Sequence, residues 1–117
     1  MTAIVLVKDA ALASSLEAVL VVDGLRVIVQ DPQSPLQALP LAEGRLLVSE
    51  HRMLPFHLAE FLTAVGARSW GGLVILLTDD RARLVGSVEG LDGVTILEMP
   101  FVGTDLIDVI RSWTAPG

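Results

Sequence analysis

Asp79 and Asp80 stand side by side, and adjacent carboxylates are raw material for general acid–base catalysis. Their setting points elsewhere, because a helical period follows them and aspartate is a favoured helix N-cap. His51 and His57 are the two histidines of the chain, six residues apart across an expected turn into a helix. No third ligand completes a metal-binding spacing, so they read as loop and helix-surface residues. Ser14, Ser15 and Ser49 have no histidine at a recognisable nucleophile–base spacing, which leaves serine catalysis unsupported. Cysteine is absent, which excludes disulfides, thiolate metal sites and cysteine nucleophiles. The cations are unevenly divided: arginine at 26, 45, 52, 68, 81, 83 and 111, and a single lysine, Lys8.

The elements that must position these groups are legible as short apolar runs: Ile4–Val7, Leu25–Val29, Leu46–Val48, Leu73–Leu77 and Val94–Leu97. They begin 21 to 27 residues apart, too far for hairpins and right for strand–helix–strand crossovers. Leu12, Leu16, Val19 and Leu20 follow a helical period, as do Leu58, Phe61, Leu62 and Val65. Leu84, Val88 and Leu91 repeat it, and so do Leu106, Ile110 and Trp113, all consistent with amphipathic helices. Thr104 is the expected N-cap of the last helix, with Asp105 and Asp108 near its positive end. The second crossover differs, with prolines at 32, 35 and 40 that limit any helix there to a stub. The order is βαβαβαβαβα in one domain, residues 1–117. The expected fold is α/β, a doubly wound five-stranded parallel sheet with a shortened or missing second helix.

Composition agrees with that architecture. Hydrophobic residues make up 52% of 117 residues, a surplus suited to strands buried on both faces. The net charge of −6 repels a phosphate backbone, so nucleic acid is not an expected partner. No apolar run approaches the ~18 residues of a membrane span. The first charge, Lys8, follows the N-terminal apolar stretch instead of preceding it, the reverse of a secretory signal. A soluble cytoplasmic domain is expected.

In open α/β sheets, ligands bind outside the carboxyl ends of the strands. Here those ends read Val7-Lys8-Asp9, Ser49-Glu50-His51, Thr78-Asp79-Asp80 and Glu98-Met99-Pro100-Phe101. Over essentially the whole chain this pattern resembles the receiver domain of bacterial two-component response regulators, a flavodoxin-like fold with strand order 2-1-3-4-5. Met99-Pro100-Phe101 resembles the family's Lys-Pro-Phe, and Thr78 closes the fourth strand as its hydroxyl residue does. Glu50-His51-Arg52-Met53-Leu54 resembles Asp-x-x-Met-Pro, and Gly24-Leu25 opens the second strand.

The resemblance implies a phosphoryl group carried on an aspartate after the third strand, an acidic pair that holds Mg²⁺, and a hydroxyl and a lysine on the phosphoryl oxygens. By position, Glu50 stands at the phosphoacceptor, Val7 and Lys8 at the acidic pair with Asp9 beyond (or Lys8 and Asp9, one residue shifted), and Thr78 at the hydroxyl. Met99 stands at the lysine and Ile96 at the aromatic switch. Only Thr78 matches outright. Glutamate reaches about 1.5 Å further than aspartate, and misplacing a reactive atom by ~1 Å costs ~10²-fold in rate. It also carries one charge where a phosphoryl group carries nearer two, so it is no full mimic.

Mg²⁺ binding is therefore expected to be weak or absent, with no cofactor and no enzymatic activity. Lys8 has two readings: its ammonium takes the place of the ion and pairs with Glu50 or Asp9, the Glu50 contact then fixing the pocket, or it is a strand-end lysine that points to water. The expected function is that of a degenerate single-domain receiver, a phosphorylation-independent interaction module. Its partner would be a histidine kinase, a phosphotransfer protein, another receiver, or a second copy in a homodimer. The resemblance puts the partner surface on the fourth-helix, fifth-strand, fifth-helix face, at Val85, Glu89, Asp108, Val109, Arg111 and Trp113. Two alternatives stand beside it: an unconventional but phosphorylatable receiver, and a flavodoxin-like small-molecule binder. The latter needs an apolar pocket and a phosphate loop after the first strand, where this chain has Lys8-Asp9-Ala10-Ala11.

Overall fold

The β-branched and leucine runs form five strands in a computed structural model that describes residues 2–30, 45–50, 72–80, 82 and 93–114. These are β1 (Thr2–Leu6), β2 (Arg26–Gln30), β3 (Leu46–Glu50), β4 (Leu73–Thr78) and β5 (Val94–Glu98), with helices α1 (Ala10–Val22) and α2 (Gly103–Thr114). All neighbouring strands run parallel, in the order β2-β1-β3-β4-β5. This is the flavodoxin-like sheet expected from the sequence. The expected stub over 31–40 and the helices over 58–65 and 84–91 lie outside the described residues, as do His51, His57, Val85 and Glu89.

The two central strands explain the hydrophobic surplus. Every residue of β3 and β4 is buried, while the edge strands β2 and β5 are partly exposed. One face of the sheet, carrying Val5, Val48, Ile75 and Leu77, packs on Leu16 and Leu20 of α1 and Leu106 and Ile110 of α2. Ile4, Leu6, Leu47 and Leu76, of the opposite parity, are equally buried. Among the described residues no helix is long and apolar enough to cross a membrane.

Chain reversal after α1 is built into the sequence. Gly24 adopts φ +90°, its N–H donates to the Val21 carbonyl (3.0 Å), and the Leu25 N–H donates to the Leu20 carbonyl (3.0 Å). This is a Schellman closure, which needs the left-handed conformation that glycine adopts without steric cost. Leu25 and Leu20 are both buried in the core, the apolar contact that accompanies the motif. Helix α2 begins two residues before the expected position. Its cap is Val102, not Thr104, because the Asp105 carboxylate reaches back to accept from the Val102 N–H (3.2 Å). That is the reciprocal half of a capping box, and it leaves Thr104 inside the first turn. Val19 of α1 meets Gly103 at the start of α2, and Asp23 after α1 accepts from the Arg111 guanidinium at 3.0 Å. The two helices therefore lie side by side and parallel.

Candidate functional site

The carboxyl ends of β1, β3, β4 and β5 bring the sequence-selected residues to one edge of the sheet. In register, Glu50 stands beside Leu77 and Thr78 beside Glu98. Val7 follows the last β1–β3 pair, Leu6 with Ser49, and so sits next to Glu50. The ladder continues past β5, with the Met99 N–H donating to the Thr78 carbonyl (2.7 Å). Met99 is thereby fixed beside Thr78. Val7, Glu50, Thr78 and Met99 are thus neighbours along this edge.

Their surroundings differ sharply. Glu50 is 8% exposed and Thr78 is 2% exposed. The Thr78 hydroxyl oxygen accepts from the Asp80 N–H (3.1 Å), a local turn that leaves its O–H free to donate. Val7 is buried, Met99 half-buried, and Ile96 half-buried in β5 with neither ring nor hydroxyl. Asp9 is committed to structure: its carboxylate accepts from the N–H groups of Ala11 (2.8 Å) and Leu12 (3.3 Å) as the N-cap of α1. Asp9→Ala is expected to lower the unfolding free energy by about 1 kcal/mol, measured as a shift in the urea midpoint.

Lys8 does not take the place of the ion. It lies beyond the end of β1, exposed to solvent. Among the described residues it makes no ion pair, and the contact with Glu50 is not formed. Val7, not Lys8, stands next to Glu50, and an ammonium extended into water keeps the hydration it would lose by burial. The edge is also a poor fit for Mg²⁺, a hard cation that takes oxygen ligands. The acidic-pair positions hold a buried valine and an exposed lysine, Asp9 serves the helix, and among the described residues no group of three metal-ligating side chains gathers.

The interface candidates divide. Asp108, Val109 and Trp113 line one groove against Val94 and Thr95 of β5. Arg111 turns away from it to Asp23. Trp113 continues the Leu106–Ile110 stripe and packs half-buried against the core. Sequence reading missed one feature, a cleft between α1 and the Met99–Phe101 segment. Helical spacing marks Leu12, Leu16 and Val19, but nothing local shows that Met99 to Phe101 lie opposite them.

No family model and no curated protein matches the chain. Solved structures do match it. Chemotaxis protein CheY4 of Vibrio cholerae superimposes with a TM-score of 0.79 at 16% identity, covering 95% of this chain and 96% of that one. A response regulator receiver protein from Sinorhizobium medicae WSM419 gives 0.78 at 19% identity, with 96% and 92% covered. A CheY-like response regulator receiver domain protein from Methanospirillum hungatei JF-1 gives 0.72 at 22% identity, with 96% and 91% covered. With the strand order and the parallel registers, these likenesses establish that the chain folds as a response regulator receiver domain.

Proposed function

We propose that this chain is a receiver-type module of two-component signalling that acts by binding a partner and not by accepting a phosphoryl group. One observation carries the reading: Thr78 keeps its place beside Met99, while the positions around it lack the groups that phosphoryl transfer requires. Glu50 over-reaches an aspartate by about one carbon–carbon bond, ~1.5 Å. Val7 and the exposed Lys8 offer a cation no carboxylate at the acidic-pair positions, and Met99 offers no charge to a phosphoryl oxygen. Electrostatic stabilisation is usually the largest contribution to such catalysis, and here it is missing at three positions at once.

The partner class is a histidine kinase, a phosphotransfer protein, another receiver, or a second copy of the chain, meeting in the cytoplasm. The groove at Asp108, Val109 and Trp113 suits such a partner, because a partly exposed indole beside apolar and polar groups is the usual make-up of an interface anchor.

The test is incubation with acetyl phosphate and Mg²⁺. Intact mass is expected to stay unchanged, and the protein is expected to retain the same partner from its own cell extract with or without the treatment. A stable gain of about 80 Da, one phosphoryl group, or capture that depends on acetyl phosphate, overturns the proposal.

A further inference from the structure

The cleft missed by sequence reading has a volume of about 470 Å³, within the range of roughly 300–1,000 Å³ typical of small-molecule sites. It opens at the carboxyl ends of β4 and β5, the side on which open α/β sheets bind ligands. One wall is α1, where Leu12 and Leu16 lie one turn apart on the same face. The opposite wall is Met99 and Phe101. A methionine side chain is unbranched and polarisable and adapts to irregular apolar partners; the lysine this position resembles would fill the same wall with charge.

Gly103 lines the cleft where α2 approaches α1. A Cβ built there would lie 3.1 Å from Val19 Cγ2, a tight contact to which the Val19 side chain would have to yield by a few tenths of an ångström.

Among the described lining residues the charge is of one sign: Asp79 is the ionisable side chain, and none of them is basic. A carboxylate has about four acceptor sites, so Asp79 can receive a ligand's donor in addition to the interactions it already makes. Among the described lining residues an anionic ligand finds no counter-charge, and the segment after β1, Lys8-Asp9-Ala10-Ala11, is not the Ser/Thr/Gly-rich phosphate loop that a nucleotide or flavin would use.

We infer that this cleft binds a small molecule with an apolar, ring-sized body and a cationic amine, the body held between α1 and the Met99–Phe101 segment and the amine directed to Asp79. The inference does not rest on the signalling role proposed above, and a failure of either leaves the other standing.

Three probes that share an indole ring separate shape from charge: tryptamine, a cation; indole, neutral; and indole-3-propionate, an anion. Each is titrated into the full chain and followed by proton–nitrogen NMR correlation spectra. Tryptamine is expected to move the amides of residues 12–19 and 99–103 saturably. It should bind at least about threefold more tightly than indole-3-propionate, the scale of an exposed charge contact. Ser15 lines the cleft and is exposed, so Ser15→Phe is expected to block the mouth and abolish these shifts while leaving the rest of the spectrum in place. Met99→Lys is expected to reverse the preference in favour of the anion. The inference is overturned if tryptamine moves no amide lining the cleft, if Ser15→Phe leaves its affinity unchanged, or if the anion binds the unaltered chain as tightly as the cation.

Discussion

The triple variant Lys8→Asp, Glu50→Asp and Met99→Lys is expected to take up one phosphoryl group from acetyl phosphate in the presence of Mg²⁺, while the unaltered chain takes up none. Position 8 belongs to the acidic pair in either register of the resemblance, and it is exposed, so the new carboxylate costs little in folding. Glu50→Asp withdraws the carboxylate by about 1.5 Å, which by itself restores ~10² in rate if the misplacement is the obstacle. Met99 is already fixed against the Thr78 carbonyl at 2.7 Å, so a lysine there starts from a backbone in the required place. Removing one preorganised donor from a catalytic site costs about 10²–10³, and two charged groups are restored here together. The combined gain is therefore expected to exceed ~10⁴, enough to turn an undetectable adduct into the main species in intact mass. Each single substitution is expected to remain inert. A folded triple variant without adduct would show that something other than these three side chains blocks the chemistry.

Leu106→Ala is expected to cost about 2–5 kcal/mol of a total that for such domains is roughly 5–15 kcal/mol. Leu106 is 0% exposed and belongs to the cluster that joins α2 to Leu16, Leu20 and the sheet. Its truncation leaves a cavity between elements already fixed by neighbouring strands and by the Gly103–Val19 approach, so little collapse can fill it. In urea the midpoint should fall by roughly 1–3 M at constant m. Val22→Ala, at a position 88% exposed on α1, is the matched control and should change stability by less than about 0.5 kcal/mol. Equal losses in the two variants would mean that α2 is not anchored through Leu106.

How much was legible beforehand differs between fold and site. All five strands lie within two residues of the apolar runs that announced them. Burial on both faces of a parallel sheet demands unbroken apolar stretches, and no other element of this length uses them so. The period of Leu12, Leu16, Val19 and Leu20 likewise gave α1. Caps were less legible. Thr104 is the better cap by residue type, yet Asp105 reaching back to Val102 moved the start of α2 by two residues. Terminal hydrogen bonds of this size are decided by geometry within one turn, which composition does not specify.

The site was legible as positions but not as contacts. Spacing placed Glu50, Thr78 and Met99 on one edge because parallel register carries strand ends to the same side of the sheet. It did not show that β1 ends at Leu6, so that Val7 stands beside Glu50 and Lys8 is left in water. Nor did it show that Arg111 turns to Asp23, or that Leu12 faces Met99 across an open cleft.

The sequence by itself therefore determined the elements, their order and the identity of the groups at the strand ends. Each of these follows from local periodicity and from the parallel connections that periodicity forces. Only the tertiary structure decided which of those groups touch and which charge remains in water. Those outcomes depend on angstrom-scale approaches between segments about 80 residues apart, such as Val19 with Gly103, and no local pattern encodes them.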